Sequence, residues 1–107
     1  MKGERELWAM RRAGKKPAYI WVSDFPNCAL DGLTVRVAGE SPDLLDLRFL
    51  VGTTVIVEGP DGARVERLAK ACGAHARRVI ASTITRQAGW AEVVCVTDTE
   101  GVMTWPA

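Results

Sequence analysis

The stretch from Thr53 to Thr83, TTVIVEGPDGARVERLAKACGAHARRVIAST, restricts the architecture of this chain more than any other. Thr54–Glu58 is β-branched and apolar, as a buried strand requires. Asp61 follows a Gly-Pro turn, where its carboxylate can take the first free amides of a helix. Val65, Leu68, Ala69 and Cys72 then fall at i, i+3, i+4 and i+7, one face of that helix, and Gly73 ends it. Arg78–Ile84 is again strand-like. Residues 53–84 therefore form a βαβ unit, whose two strands must be parallel because the helix carries the chain back across the sheet.

The flanks extend this sheet. Residues 1–16 hold a basic helix over 4–13, with Leu7 and Met10 three apart, Trp8 beside them and Gly14 as its stop. Ala18-Tyr-Ile-Trp-Val-Ser23 reads as a strand covered on both faces, with Trp21 in the core. Leu33, Val35 and Val37 alternate with polar neighbours, a strand whose long connection leaves open a hairpin with the first. Ser41-Pro42-Asp43 predicts a helix to about Val51, burying Leu44, Leu45, Leu47 and Leu50. Glu92–Val96 is the last long strand, after a loop at Gln87-Ala-Gly89. The expectation is an α/β fold: one compact domain over residues 1–107, with a mixed, mostly parallel sheet of about five strands and helices packed on it.

Ligand sites in such sheets lie beyond the carboxyl ends of the strands, and Asp24, Glu58, Asp98 and Glu100 all follow predicted strands. The strand–turn VIVEGPDGAR, with a helix after it and VCVTDTEG beyond, resembles the Toprim domain of topoisomerases, primases and small nucleases over residues 53–101. That resemblance implies a Mg²⁺-dependent nucleic-acid enzyme with Glu58 as catalytic acid/base and Asp98 and Glu100 as metal ligands. Hard carboxylate oxygens are what Mg²⁺ takes, and the ion would neutralise charge building on phosphate. The residues alone also fit plainer roles, with Asp98–Gly101 a turn, Glu58 a strand end and Asp61 a helix cap.

No other catalytic set stands out. His75 is the one histidine. Gly73 separates it from Cys72, which falls on the apolar stripe, so the pair reads as a core thiol and a surface histidine. Gly59-Pro60-Asp61-Gly62 lacks the lysine and hydroxyl of a phosphate loop. On the residues alone, no metal or other cofactor is expected.

Charge is segregated along the chain although it nets only +1. Residues 1–16 carry six bases against two acids and residues 62–86 six against one, while 17–61 carry seven acids against two bases. Two such basic blocks can meet nucleic acid. Three cysteines without a CxxC pair argue against a disulfide framework or a zinc knuckle, and fit a reducing cytoplasm. No run approaches the roughly 18 apolar residues of a membrane span, and the charged amino terminus is unlike a signal peptide. A soluble, cytoplasmic protein with no membrane partner is expected.

Four tryptophans in 107 residues are many, and Trp is enriched at protein interfaces. Without a catalytic set, the residues favour a small non-catalytic protein acting by protein–protein contact, through Trp8, Arg11, Arg12, Lys15 and Lys16 of the amino-terminal helix and through Trp90 and Trp105. Stand-alone domains of this kind are common among phage and mobile-element accessory proteins, including inhibitors of host defence such as anti-CRISPR proteins. The alternatives are the Toprim-like enzyme and a nucleic-acid-binding module that uses the two basic blocks.

Overall fold

Asp61 opens the helix around which the sheet is organised. Its carboxylate accepts the amide N–H groups of Ala63 at 3.0 Å and Arg64 at 3.3 Å, satisfying two free donors of α2 (Gly62–Gly73). Val65, Leu68, Ala69 and Cys72 are then fully buried, as their spacing predicts. They pack against β3 (Thr54–Gly59) and β4 (Arg78–Gln87), which run parallel from the Thr54–Arg78 pair to the Gly59–Thr83 pair. The computed structural model describes the backbone of residues 1–87 and 90–100, with side chains through Thr85 and at Val93.

On the other side of β3 lies β1 (Tyr19–Ser23), parallel to it, and beyond that β2 (Thr34–Arg36), parallel to β1. The last strand, β5 (Trp90–Glu100), is antiparallel to β4. The order β2-β1-β3-β4-β5 is the expected α/β sheet, four strands parallel and one reversed. The radius of gyration, 13.2 Å, matches the roughly 13 Å of a compact single domain this long. Lys2 lengthens the β2 edge by exchanging two backbone hydrogen bonds with Arg36. Gly3 is required beside it: φ is +92°, and a Cβ there would lie 2.3 Å from the Thr34 carbonyl oxygen.

The core occupies one face of this sheet. Ile20, Val22, Val55, Val57, Val79 and Ala81 form a single cluster with the α2 stripe, with Leu7 of α1 (Glu4–Arg12), and with Leu47, Phe49 and Leu50. Both helices of the described residues bury their side chains in that one cluster, so both lie on the same side and leave the other face helix-free among the described residues. The alternate residues Trp21, Ile56 and Ile80 point to the opposite face, stand in one register row and are only half-buried. Two expectations are corrected: the second face of β1 is only partly covered, with Ser23 buried, Trp21 half-buried and Tyr19 exposed, and Trp21 is not a core residue.

Three further expectations are corrected. The connection after β1 makes a parallel crossover instead of a hairpin. It is held compact by Asp31, whose carboxylate accepts the Leu33 N–H at 3.0 Å and the Thr34 hydroxyl at 2.9 Å, and by Arg36, which donates to the Cys28 carbonyl. The segment 41–51 is not an α-helix but two 3₁₀ turns, Pro42–Leu44 and Arg48–Leu50. Leu45 between them is extended, Leu44 is 85% exposed, and the Asp46 carboxylate bonds the Arg48 N–H and guanidinium, a local turn that competes with helix. The β4–β5 hairpin is also longer at both ends than predicted, and its backbone is still strand at Asp98–Glu100, where a turn was the plainer reading. Beyond the last β3 pairing, at Thr83, its arm Ile84–Gln87 pairs with β5 alone among the described residues.

Candidate functional site

From β1 the chain crosses to β2 on one side, and from β3 to β4 on the other. The gap between β1 and β3 at their carboxyl ends is therefore the switch point at which such sheets bind ligands. The Asp24 amide donates to the Glu58 carbonyl across it at 2.8 Å. Here the crossover from β1 leaves a cleft of about 470 Å³ lined by Ser23, Phe25, Pro26, Asn27, Cys28, Glu58 and Ile84. The size is that of a small-ligand or side-chain pocket.

Three acids lie at this edge, and two are committed to structure. Asp61 caps α2. Asp24, 4% exposed at its side chain, accepts both Nε (2.8 Å) and Nη2 (2.9 Å) of Arg64, whose Nη2 also reaches the Glu40 carbonyl at 3.0 Å. The Asp24 carboxylate raises the Arg64 pKa further above its already high value, chiefly by these hydrogen bonds. The carboxylate of Glu58, half-buried in the cleft wall, has no hydrogen-bond or ion-pair partner among the described residues. Sequence reasoning missed the Asp24–Arg64 pair. Its only signal was topological, since a residue leaving one strand and a residue in the first turn of a crossover helix share the same edge.

The acids of the metal-dependent reading occupy separate register rows. Glu58 pairs with Ser82, Asp98 faces Ile80, and Glu100 faces Arg78, whose other neighbour is Thr54 at the start of β3. Strand geometry puts the Glu58 and Glu100 backbones roughly 16 Å apart. The side chains of Asp98 and Glu100 lie outside the described residues. Among the described residues no three His, Cys, Asp or Glu side chains gather as a metal site would require.

Of the predicted contact residues, Trp8 is half-buried with its ring edge-on to Phe49 at 5.7 Å, a packing role. Arg11 donates to the Val51 carbonyl at 3.0 Å and, with Gly14, Lys15 and Lys16, lines a small cleft of about 220 Å³. Arg12 is exposed at the end of α1. Trp90 is the first residue of β5, paired with Gln87 at the hairpin tip rather than in a loop; Trp105 lies outside the described residues. Cys72 is fully buried, its thiol pushed up to about 12 by burial, so it forms no thiolate pair with half-buried His75.

The two basic blocks do meet. Lys16 from the first and Arg77 from the second line one cleft of about 430 Å³ at the amino-terminal edge of the strands, with Pro17, Ala18, Tyr19, Gly52 and Thr54. No helix among the described residues is long and apolar enough to cross a membrane. No known protein-family model, curated protein sequence or solved structure matches the chain.

Proposed function

We propose that this protein is a non-catalytic binding module that occludes a surface of another protein through the helix-free face of its sheet. The observation behind this reading is the row Trp21–Ile56–Ile80, apolar in three adjacent strands and half-buried where polar residues would serve a solvated face. Ile84 and the 63%-exposed Val93, paired across β4 and β5, continue it along the hairpin arm, which ends at Trp90. At the carboxyl edge the same face leads to the cleft holding the unpaired Glu58 beside Phe25. The partner that complements this surface presents apolar side chains around a lysine or arginine, which the Glu58 carboxylate and the Phe25 ring would receive together.

The amino-terminal helix contributes little to such a contact, since Trp8 is committed to Phe49. Steric occlusion needs no reacting group. It is the mode of inhibitors of host defence carried by phages and other mobile elements, anti-CRISPR proteins included, and the proposal extends to that class on size and build. A photo-crosslinking residue placed in cells at Ile80 should form a protein adduct that Glu58→Lys abolishes, while the same probe at Arg67 on α2 should form none. Equal adducts at both positions, or none at Ile80, would overturn the proposal.

A further inference from the structure

The amino-terminal edge of the sheet carries a second site, beside the helix-free face, and we infer that it binds the phosphate backbone of a single-stranded nucleic acid. Four cations converge there, Arg11, Lys15 and Lys16 from one segment and Arg77 from another far along the chain. Lys16 and Arg77 share the cleft of about 430 Å³, and Lys16 also belongs to the adjoining cleft with Arg11 and Lys15. Among the described residues no carboxylate lines either cleft. Arg77 is held by donating to the Thr54 hydroxyl at 2.9 Å and Arg11 by donating to the Val51 carbonyl at 3.0 Å, both neutral acceptors, so position is fixed and, among the described residues, neither charge is neutralised. Lys15 and Lys16 have no acidic partner among the described residues.

Gly52 has φ +76°, a conformation that favours glycine, and the end of the Lys16 side chain lies against it, 2.5 Å from where a Cβ would stand. Beside these cations Tyr19 is 49% exposed, its ring 6.2 Å from that of Trp21 and tilted by 42°. Cations that track phosphates next to an exposed aromatic ring are the combination by which single strands are held, because an unpaired base offers a free face for stacking and a duplex does not. An acidic protein would satisfy the cations but leave the ring without a role.

The test is fluorescence anisotropy with a labelled fifteen-nucleotide oligo(dT), at about 50 and 200 mM salt, with melting curves to verify each variant's fold. Wild type should bind, with log K falling against log salt by about 0.7 for each phosphate contacted. Lys16→Gln/Arg77→Gln should weaken binding at least about tenfold, and Tyr19→Ala by about fivefold or more while Tyr19→Phe retains it. If loss of the Thr54 bond unfolds the Arg77 variant, Lys15→Gln/Lys16→Gln serves the same purpose. Arg67→Gln/Lys70→Gln removes equal charge from α2 away from the cleft and should have little effect. The inference is overturned by no binding at the lower salt, by equal losses in the control pair, or by duplex or polyglutamate binding as tightly with Tyr19→Ala without effect.

Discussion

Asp24 and Arg64 form a bidentate ion pair across the carboxyl edge of the sheet, Nε–Oδ2 2.8 Å and Nη2–Oδ1 2.9 Å, tying the segment that leaves β1 to the first turn of α2. Because Asp24 is buried, removing Arg64 strands its charge without compensation, whereas Arg64, 30% exposed and bonded to the Glu40 carbonyl, still reaches solvent when Asp24 is removed. Arg64→Ala should cost about 3–5 kcal/mol and Asp24→Ala less, with the double variant far from additive. Urea unfolding of the three variants measures this, and additive losses would show the pair to be uncoupled.

Gly59 lies directly beneath that pair. A Cβ at this position would come within 2.8 Å of the Asp24 Cβ and 2.9 Å of the Val65 Cγ2, neither of which is the free end of a long side chain. Gly59→Ala should therefore cost about 1–3 kcal/mol by forcing β3 and the Asp24 segment apart. Gly39→Ala is the contrasting case, because its Cβ would meet nothing within 4 Å and only the φ of +84° opposes it. Melting temperatures should fall further for Gly59→Ala.

Burial raises the Cys72 thiol from 9.0 to about 12. With the folded value above the unfolded one, the stability linked to this thiol is complete below about pH 9 and is lost as pH rises toward 12. In the native protein at pH 8, iodoacetamide should label half-buried Cys28 and leave Cys72 untouched until denaturant is added. Peptide mass mapping distinguishes the two sites.

The hydrogen bonds from Arg48 lower the Asp46 carboxyl from 3.8 to about 2. The folded value is below the unfolded one, so the linked stability is present above about pH 4 and is lost as pH falls through 2. Both side chains face solvent and the effect on stability is small, but the titration itself is readable. Carboxyl-carbon NMR should place Asp46 near the lower value and, in Arg48→Gln, return it toward 3.8.

Mg²⁺ and Mn²⁺ should leave the melting temperature unchanged in wild type, Glu58→Gln and Asp98→Asn, because the register sets Glu58, Asp98 and Glu100 in three different rows. A rise in wild type that both variants lose would instead establish an acidic metal site, and would make nuclease assays the next measurement.

Elements whose cause is local were legible in the amino-acid order. Asp61 as cap, the Val65–Cys72 stripe and the β-branched runs of β3 and β4 depend on neighbours within a turn or on a period of two or 3.6 residues, and all are found as read. Where a local rule met a longer-range demand it failed. Ser41-Pro42-Asp43 is a good helix start, yet the chain from β2 to β3 instead turns twice and buries Leu47, Phe49 and Leu50. The parallel direction of β1 and β2, the reversal of β5, the Asp24–Arg64 pair and the meeting of Lys16 with Arg77 were decided by the tertiary structure alone. Each joins residues whose separation carries no periodic signal, and strand pairing sets which edge of the sheet a side chain reaches.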